Sequence, residues 1–397
     1  METIVAEKMV AGGDCIGRLG GKIVFVPYAL PGETLAVEIT EERKDFARAR
    51  ISGIVAPSPG RVSPRCPLFG RCGGCNLQMA ERAEQIRLKT DLLRAAFARA
   101  GFSQPLPDIA PVEGSPWEYR SRFQFHRAAA AGKRSVGLMP FDDNAQVGRR
   151  GRGVPKRFSP VVPLDDCPVA VPHIRSLLRQ RAFPPLRQER VCVFAGDSVR
   201  SASGAPIAFE SDSPPVCRVE LGGKTLRFDV RGFFQTNLPL TERLAAAVRD
   251  GAPGGRALDL YAGCGVFALF LIDSAEHVTL VEHDRNSAAW AEANLRGKSH
   301  ETFAVSGKTW AASPAAHRRY DFVVADPPRA GLEPEVCRWL CESAPPQFRY
   351  VSCNPVALAR DAVLLAAAGY RLSSLALFDF YPQTSHAEAL ACFETGG

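Results

Sequence analysis

The sequence predicts an α/β protein in which an OB-type β-barrel and a strand-rich central domain precede a Rossmann-like domain. Residues 1–60 alternate short β-rich runs with Gly and Pro, which is typical of a small barrel. Residues 111–230 contain further strand patterns, and from residue 251 apolar strands alternate with helices. In a chain of 397 residues we therefore predict three parts, at residues 1–60, 61–230 and 231–397.

The N-terminal part contains the β-rich runs KIVFVPY, TLAVEIT and FARARISGIV, separated by turns with Pro, Gly or charged residues. These runs predict a barrel of about five strands. Basic side chains are expected together on one exposed section of this barrel: Arg43, Lys44, Arg48 and Arg50.

A helix is predicted from Glu81 to Ala100, because apolar residues recur there at helical spacing and Gly101 ends the pattern. In the last part, ALDLYA precedes the helix VFALFLI, HVTLVE precedes DRNSAAWAEANLRG, and DFVVAD precedes a helix near 334–343. FRYVSC then precedes VALARDAVLLAAAG, and two late strands, LSSLALFDF and EALACFE, end the chain. Such alternation indicates a parallel sheet covered by helices, whose ligands bind at the carboxyl ends of the strands.

The net charge of +7 is unevenly distributed along the chain. Residues 1–250 contain 37 Lys/Arg against 26 Asp/Glu, and residues 251–397 contain 12 against 16. A basic first part is typical of polyanion binding, although a need for solubility would explain it equally well. The basic, Gly-rich segment 148–157 is either an RNA contact or a solvated loop.

The sequence favours a cytoplasmic protein with no membrane partner. No stretch is apolar for long enough to cross a bilayer, and the N-terminus lacks the pattern of a secretory signal. In a reducing compartment, the twelve cysteines predict buried thiols, metal ligands and reactive thiols rather than disulfides. Seven scattered cysteines are interpreted as small apolar fillers: Cys15, Cys192, Cys217, Cys264, Cys337, Cys341 and Cys392.

The segment DLYAGCGVF, where the first strand of the last part meets its first helix, predicts a nucleoside cofactor. Gly263 and Gly265 allow the backbone to approach a ligand closely, and Glu282 at the next strand end can accept hydrogen bonds from a ribose. The pattern D-L-x-x-G-x-G resembles the first motif of class I S-adenosylmethionine-dependent methyltransferases. Dinucleotide binding is the poorer alternative, because Ala268 stands where a third glycine is usual.

Asp326 ends the strand DFVVAD and opens DPPRAG, which resembles the fourth motif of the same methyltransferases. Adenine-N6 methyltransferases have a similar D-P-P-Tyr, in which the aromatic ring stacks on the base. Arg329 occupies that position here, which argues against adenine-N6 chemistry.

Cys353 is a candidate nucleophile because it ends a strand and precedes Asn354 and Pro355, which favour a helix N-terminus. The helix dipole is expected to lower the pKa of this thiol below about 8.5, although an inert cysteine would also fit the position. Addition of a thiolate to C6 of uracil makes C5 nucleophilic enough to accept a methyl group, and a general base must then remove the C5 proton. Glu388 is the candidate base, although a lone acid there would usually be a solvated charge at a strand edge.

Five ordered motifs together resemble the RNA uracil-5-methyltransferase family: GFFQTN, DLYAGCGVF, DPPRAGL, YVSCNPVALARD and HAE. The resemblance covers nearly the whole chain and implies that Cys353 is the nucleophile and Glu388 the proton acceptor. Many family members have Asn where this chain has Val266, so Val266 is left out of the predicted site. The resemblance also implies contacts to S-adenosylmethionine from Gln235, Tyr261, Glu282 and Asp326.

Four further cysteines form a separate candidate metal site: Cys66, Cys72, Cys75 and Cys167. By chemistry alone, four thiolates suit zinc and an iron–sulfur cluster about equally. The spacing, the Gly-Gly pair and the distant Cys-Pro resemble the [4Fe-4S] site of the ribosomal-RNA branch of the family. The segment FVPYALPGE is similar to that of a TRAM domain, an RNA-binding barrel, and barrel and cluster together imply a ribosomal-RNA substrate.

The resemblance implies methylation of C5 of a uridine in 23S rRNA by a monomer that binds neither DNA nor a membrane. Three alternatives are weighed beside it. Cytosine-5 methylation shares the covalent chemistry, but the Pro-Cys motif common in such enzymes is absent from the sequence. The others are uridine-5 methylation of tRNA and a non-catalytic role as an RNA-binding assembly factor.

Overall fold

The structure, a computed structural model, describes residues 2–128, 135–141, 161–184 and 189–396. The basic segment 148–157 lies outside these residues. The α/β class predicted from the sequence is confirmed, with strands throughout the chain and helices concentrated in the C-terminal part.

Residues 2–56 form a six-stranded sheet in the order β1-β5-β6-β4-β3-β2. Consecutive strands β1 and β2 therefore lie at opposite ends of this order. Alternate side chains of the long strands point into one apolar core, as in a barrel. The strands are β1 Glu2–Val5, β2 Lys8–Met9, β3 Cys15–Leu19, β4 Lys22–Val26, β5 Thr34–Glu42 and β6 Phe46–Ala56.

One expectation for the barrel surface is wrong. Arg43, Lys44 and Arg50 are exposed as predicted, but Arg48 is buried. The Arg48 guanidinium forms ion pairs with Asp14 at 3.4 Å and with Glu41 at 3.7 Å. Alternation along β6 places Arg48 on the face opposite the core residues Ala47 and Ala49. This side chain is therefore buried by its neighbours Phe25, Asp14 and Glu41 rather than by the barrel core. The two carboxylates compensate for its lost hydration.

The central region contains two helices and, among its described residues, nine strands. Strands β8 to β11 and β13 form one sheet without β12, which joins β14 and β15 in a second sheet. The elements are α1 Arg82–Ala100, β7 Ile109–Val112, β8 Arg122–Arg127, β9 Val136–Leu138, β10 Val162–Pro163, α2 Pro172–Gln180, β11 Arg190–Ala195, β12 Val199–Ser201, β13 Ile207–Phe209, β14 Val216–Leu221 and β15 Lys224–Asp229.

The C-terminal region supplies seven strands of an eight-stranded sheet. The sequence predicts a parallel sheet, and this is wrong for the last strand, which runs antiparallel to both of its neighbours. The strands are β16 Arg256–Leu260, β17 His277–Val281, β18 His300–Phe303, β19 Phe322–Ala325, β20 Gln347–Ser352, β21 Tyr370–Phe378 and β22 Glu388–Thr395, and their order is β18-β17-β16-β19-β20-β22-β21-β7.

Helices cover this sheet, with apolar cores on its faces. The connections from the parallel strands β16, β17, β19 and β20 contain helices, as crossovers between parallel strands require. The helices are α3 Leu238–Arg249, α4 Val266–Leu271, α5 Arg285–Asn294, α6 Gly307–Ala311, α7 Pro334–Ser343 and α8 Pro355–Ala367.

The C-terminal sheet extends across a predicted domain boundary. Strand β7 pairs with β21 in parallel, from Ile109 beside Leu375 to Val112 beside Phe378. Helix α1 buries Leu93 and Phe97 in the same core as α8. The boundaries at residues 60 and 230 stay predictions, and the segment 82–112 packs with the C-terminal part.

The N-terminal half of α1 is joined to the C-terminal region by a buried ion pair. Lys89 and Asp379 are both fully buried, and their side chains are paired. The Lys89 ammonium also donates a hydrogen bond to the carbonyl of Tyr381 at 2.9 Å. Asp379 pairs in addition with Arg82, at the first position of the helix.

We predict that Lys89→Met lowers the free energy of unfolding by about 3 kcal/mol, because the buried Asp379 carboxylate loses one of its two cations. The control is Arg87→Met on the same helix, where the side chain is 51% exposed. It should cost less than about 1 kcal/mol. Denaturant unfolding of both variants measures the difference, and equal losses would contradict a stabilising role for the buried pair.

Candidate active site

One large cavity, of about 1410 Å³, lies at the carboxyl edge of the C-terminal sheet. All eight residues predicted for catalysis or cofactor binding belong to this region, and Gly265 is the only one of them not at its wall. The volume exceeds the roughly 300–1,000 Å³ of a typical small-molecule site. The cavity therefore has space for two reactants side by side.

The loop between β16 and α4 forms part of the cavity wall with an unusual backbone. Tyr261, Gly263 and Gly265 have φ values of 62°, 56° and 86°. A Cβ atom on Gly265 would lie 3.0 Å from Leu295 Cδ1, whereas one on Gly263 would meet nothing within 4 Å. Gly265 is thus required by packing against α5, and Gly263 leaves open space facing the cavity.

Glu282, which follows β17, binds the same loop and is buried. Its Oε2 accepts a hydrogen bond from Gly263 N at 2.9 Å, and its Oε1 accepts one from Asp284 N at 2.7 Å. The carboxylate is thereby fixed beside the glycine loop, in the position expected for an acceptor of ribose hydroxyls.

Gln235 also lines the cavity, in the segment before α3. Its Oε1 atom is buried and has no hydrogen-bond partner among the described residues. A buried amide oxygen without a partner is costly, so a donor from a bound ligand would complete the site. The free amide oxygen, the open glycine backbone and the fixed acid fit a nucleoside cofactor with an amino-acid tail.

Cys353 and Glu388 are brought together by the pairing of β20 with β22. The antiparallel ladder ends with Ser352 opposite Ala389. The next position of the same register places Cys353 beside Glu388, and residues directly opposite in such a ladder have Cβ atoms about 5 Å apart. Both side chains line the cavity.

The net pKa of Cys353 is raised rather than lowered, because burial outweighs any effect of the helix N-terminus. Asn354 caps α8 as predicted, its side chain accepting a hydrogen bond from Val356 N at 3.1 Å. Burial nevertheless raises the pKa of the Cys353 thiol to about 11, and the charges of Glu388 and Asp326 act in the same direction. Arg329 opposes them with the smaller effect.

The two acids of the cavity are affected by the same surroundings. Burial raises the pKa of Asp326 to about 7. Burial and the charge of Asp326 raise the pKa of Glu388 well above its usual range, with partial compensation from Arg329. Glu388 is 4% exposed and is not the solvated charge that a lone strand-edge acid would be. A carboxylate with a raised pKa is a stronger base once ionised, as proton abstraction from carbon requires.

Sequence reasoning missed one residue of the cavity wall and one buried acid behind it. Asp259 is fully buried behind the glycine loop, where its Oδ2 accepts a hydrogen bond from Ala268 N at 2.9 Å, and burial raises its pKa to about 8. His386 lies two residues before the candidate base, and desolvation by the surrounding protein together with Arg329 lowers its pKa to about 4. Both stand inside quoted motifs, but a motif does not reveal that Asp259 is fully buried whereas His386 is an exposed residue at the cavity wall.

The rim of the cavity combines an aromatic ring with positive charge. Phe233 is 70% exposed, and Arg231 and Arg329 are exposed beside the same opening. Phe233 belongs to the quoted motif GFFQTN, in which its neighbour Phe234 is buried. Exposed rings and guanidinium groups of this kind are typical of surfaces that bind single-stranded nucleic acid.

The four cysteines of the candidate metal site line one small cavity among the described residues, whose wall is mainly apolar but includes Gln78, Arg120 and Asp166. Gly73 approaches the carbonyl oxygens of Met139 and Pro140 so closely that a Cβ atom would lie 3.0–3.1 Å from them. The Gly-Gly pair therefore lets the cysteine loop pack against the strand β9 segment. Gly74, Arg120 and Leu138 line both this cavity and the large one.

Two of these thiols have strongly raised pKa values. Burial raises the pKa of Cys75 to about 11 and that of Cys167 to about 12, and the neighbouring cysteines raise both further. Among the described residues, no cysteine forms a disulfide, and no three His, Cys, Asp or Glu side chains are grouped as ligands of a metal ion. The four thiols share one cavity, but the described residues are not arranged around a metal ion.

Three family models match the chain. The tRNA (Uracil-5-)-methyltransferase model matches residues 316–394, the TRAM domain model matches residues 3–52, and the Methyltransferase small domain model matches residues 238–348. The first of these includes both Cys353 and Glu388. The second coincides with the N-terminal six-stranded sheet.

Curated relatives match almost the whole chain. An uncharacterized RNA methyltransferase of Treponema denticola is 36% identical over 99% of this chain and 98% of its own length. The 23S rRNA (uracil(1939)-C(5))-methyltransferase RlmD of Shewanella amazonensis is 32% identical over 96% of this chain and 93% of its own length. The RlmD of Methylococcus capsulatus is 32% identical over 98% and 96%.

The chain belongs to the RNA uracil-5-methyltransferase family. A solved structure from Pyrococcus abyssi, a tRNA (uracil-54, C5)-methyltransferase in complex with S-adenosyl-L-homocysteine, has the same fold, with a TM-score of 0.72 over 99% of this chain and all of that chain at 22% identity. Family membership confirms the class I methyltransferase fold and the TRAM domain. The roles of the individual site residues stay predictions.

We predict that alkylation of Cys353 by iodoacetamide accelerates with pH throughout the range from about pH 7 to pH 10. Below its pKa of about 11, the thiolate fraction rises about tenfold with each pH unit. Mass spectrometry of the peptide containing Cys353 measures the rate, with Cys353→Ser as the control. A rate that reaches its plateau below pH 8 would show that the helix dipole prevails over burial.

Proposed function

We propose that the protein transfers a methyl group from S-adenosylmethionine to C5 of a uridine in 23S rRNA through a covalent bond between Cys353 and C6. The observation that supports this chemistry is the β20–β22 register, which places a thiol and a buried carboxylate side by side. Both line the cavity that also contains the glycine loop, Glu282 and Gln235. These three elements would bind the cofactor.

The roles of the chain's residues follow from the bonds that must form and break. The Cys353 sulfur, as thiolate, adds to C6 of the uracil, and the electron pair of the C5–C6 bond moves toward C5 and the O4 carbonyl. C5 then bonds to the methyl group, which bound S-adenosylmethionine would supply as an electrophile while becoming S-adenosylhomocysteine. Glu388 then takes the proton from C5, the C5–C6 double bond re-forms, and the sulfur leaves C6. Arg329 provides positive charge beside both acids.

RNA as the substrate is supported by the family and by the surface around the cavity. The target base must leave its stack to reach Cys353, which costs a few kcal/mol. Phe233 can stack on a base at the rim, and Arg231 and Arg329 can contact phosphates. The TRAM barrel adds exposed Arg43, Lys44 and Arg50. The choice of 23S rRNA rests on the names of relatives that match nearly the full chain.

We further propose that Cys66, Cys72, Cys75 and Cys167 bind a [4Fe-4S] cluster. The support is that all four thiols line one cavity with a mainly apolar wall, where burial holds the pKa of Cys75 and Cys167 high without a cation. Binding to iron would displace their protons and remove this penalty. The cluster would join the cysteine loop to the segment that contains Cys167.

A monomer in the cytoplasm is the proposed working state. One chain supplies every described residue of the cavity, so no second copy is needed to complete it. Among the described residues, no helix is both long and apolar enough to span a bilayer. The basic surface is assigned to RNA, and DNA is not proposed as a substrate.

We predict that Cys353→Ala abolishes formation of 5-methyluridine, whereas Glu388→Gln accumulates an RNA–protein adduct that survives denaturing electrophoresis. Without the thiolate C5 is not activated, and without the base the adduct cannot resolve. A 23S rRNA transcript and tRNA transcripts incubated with labelled cofactor measure both activity and substrate choice. Full turnover by Cys353→Ala would contradict the covalent mechanism, and methylation of tRNA alone would contradict the proposed substrate.

We predict that Cys75→Ser lowers the iron content of the anaerobically purified protein from about four atoms per chain to well below that number. Cys341→Ser, on α7 outside the cysteine cavity, is the matched control and should retain the iron. Metal analysis and visible absorbance measure the change. Stoichiometric zinc in place of iron would contradict the proposed cluster.

A further inference from the structure

The segment 379–387, which leads from β21 into Glu388, is held in place by parts of the chain far away in sequence. We call it the base loop. Each of its four carbonyl groups from Phe380 to Gln383 accepts a hydrogen bond from another segment. The donors, in order, are Asn237 Nδ2 at 3.1 Å, Lys89 Nζ at 2.9 Å, Tyr119 Oη at 2.9 Å, and the backbone amides of Asn76 at 3.1 Å and Leu77 at 2.9 Å.

Gln383 is the most constrained residue of the base loop. It is buried and has a φ of 69°, a left-handed conformation that is unfavourable for a residue with a side chain. Its amide donates to Gln85 Oε1 at 2.9 Å, and its side-chain oxygen accepts from Gln85 Nε2 at 3.0 Å. Such a conformation persists only where surrounding contacts determine it, and here α1 and the cysteine loop supply them.

Asn76 makes the most contacts with the base loop, and it directly follows Cys75. Besides its backbone bond to Gln383, its Oδ1 accepts from Ser385 N at 2.8 Å, and its Nδ2 donates to Ser385 Oγ at 3.0 Å. Nδ2 also donates to the carbonyl of Gly12 in the barrel at 2.9 Å. A Cβ atom on Gly13 would lie 2.3 Å from Asn76 Nδ2, so the barrel packs tightly on this amide.

We infer that Asn76 is a positioning residue for Glu388 in the reaction proposed above, on which this inference rests. The amide fixes Ser385, three residues before the base, and its backbone fixes Gln383 in the strained conformation. Apart from the ladder that pairs Ser352 with Ala389, the segment after β20 is bound to Arg329 and to α8, and among the described residues it forms no hydrogen bond with the base loop. Asn76 therefore contacts the segment that leads into the base and not the segment that follows the nucleophile.

This separation predicts a defect in a single step of the reaction. Loss of the Asn76 side chain leaves addition of sulfur and methyl transfer intact but slows removal of the C5 proton, because Glu388 is displaced. Methylated RNA should then remain bonded to Cys353. A variant that merely destabilised the fold would lose addition and elimination together and would accumulate no adduct.

The test compares Asn76→Ala with the wild type and Glu388→Gln in single-turnover reactions of the full-length, iron-loaded protein. We expect Asn76→Ala to form the denaturation-resistant adduct at close to the wild-type rate and to resolve it about 10- to 100-fold more slowly, a part of what a general base contributes. Gln104→Ala is the matched control. Its amide likewise bonds to the chain on both sides, donating to the carbonyl of Tyr370 and accepting from Leu372 N at the far end of β21, and it should show no accumulation.

The iron content of Asn76→Ala is measured in parallel, because Cys75 is its neighbour. If Asn76→Ala loses iron, Gln85→Ala decides whether the base loop controls the base, since it frees Gln383 from α1 without altering the cysteine loop. Adduct accumulation in Gln85→Ala upholds control of the base through the base loop. Wild-type resolution in both variants, or slow addition without accumulation, overturns the inference. If Glu388→Gln itself forms no adduct, the proposed function fails instead, so the two failures are distinguishable.

Discussion

The antiparallel pairing of β20 with β22 is the constraint on which the site depends. Strand β22 lies between β20 and β21, and it starts beside the carboxyl end of β20. Its first residue, Glu388, therefore lies next to Cys353, the residue that follows β20. A slip of one residue would turn the carboxylate to the opposite face of the sheet. Leu390 and Phe393 lie on opposite faces of β22 and belong to different apolar cores. A slip of one residue would turn each side chain toward the wrong core, so these residues fix the register.

Burial then sets the chemistry of the paired groups. Cys353, Asp326 and Glu388 all have raised pKa values, which means that the site resists holding several negative charges at once. The positive charge of Arg329 lowers this resistance but does not cancel it. A thiol with a pKa near 11 is mostly neutral at physiological pH. If Cys353 is the nucleophile, its addition to a base would have to occur in the complex, where substrate can take up the electron pair of the sulfur.

The sequence was sufficient for the parts of the fold that depend on local pattern. The α1 end at Gly101, the cap at Asn354 and the glycine loop each follow from residue types within a few positions, and all are observed. The pairing of β7 with β21, the burial of Arg48 and the raised pKa of Cys353 depend on residues distant in sequence. The helix N-terminus at Cys353 is a local feature, whereas the burial that raises its pKa, and the acids Glu388 and Asp326 that add to it, involve elements distant in sequence. Asn76 gave no signal of its own, because its partner Ser385 lies 309 positions away.

The same distant contacts explain why the N-terminal parts are more than RNA-binding additions to a catalytic domain. The base loop takes its hydrogen bonds from the cysteine loop, α1, the central sheet region and the segment before α3, and Asn76 connects it to the barrel as well. Gly74, Arg120 and Leu138 line both the small cavity of the four cysteines and the large cavity, so a single layer of residues separates the two. A centre bound by the four thiols would therefore order the very loop that holds Glu388. In this arrangement the conformation of Glu388, the proposed base, depends on correct assembly of all three parts of the chain. An incompletely assembled protein could then form the proposed bond between Cys353 and the uracil more readily than it could break it.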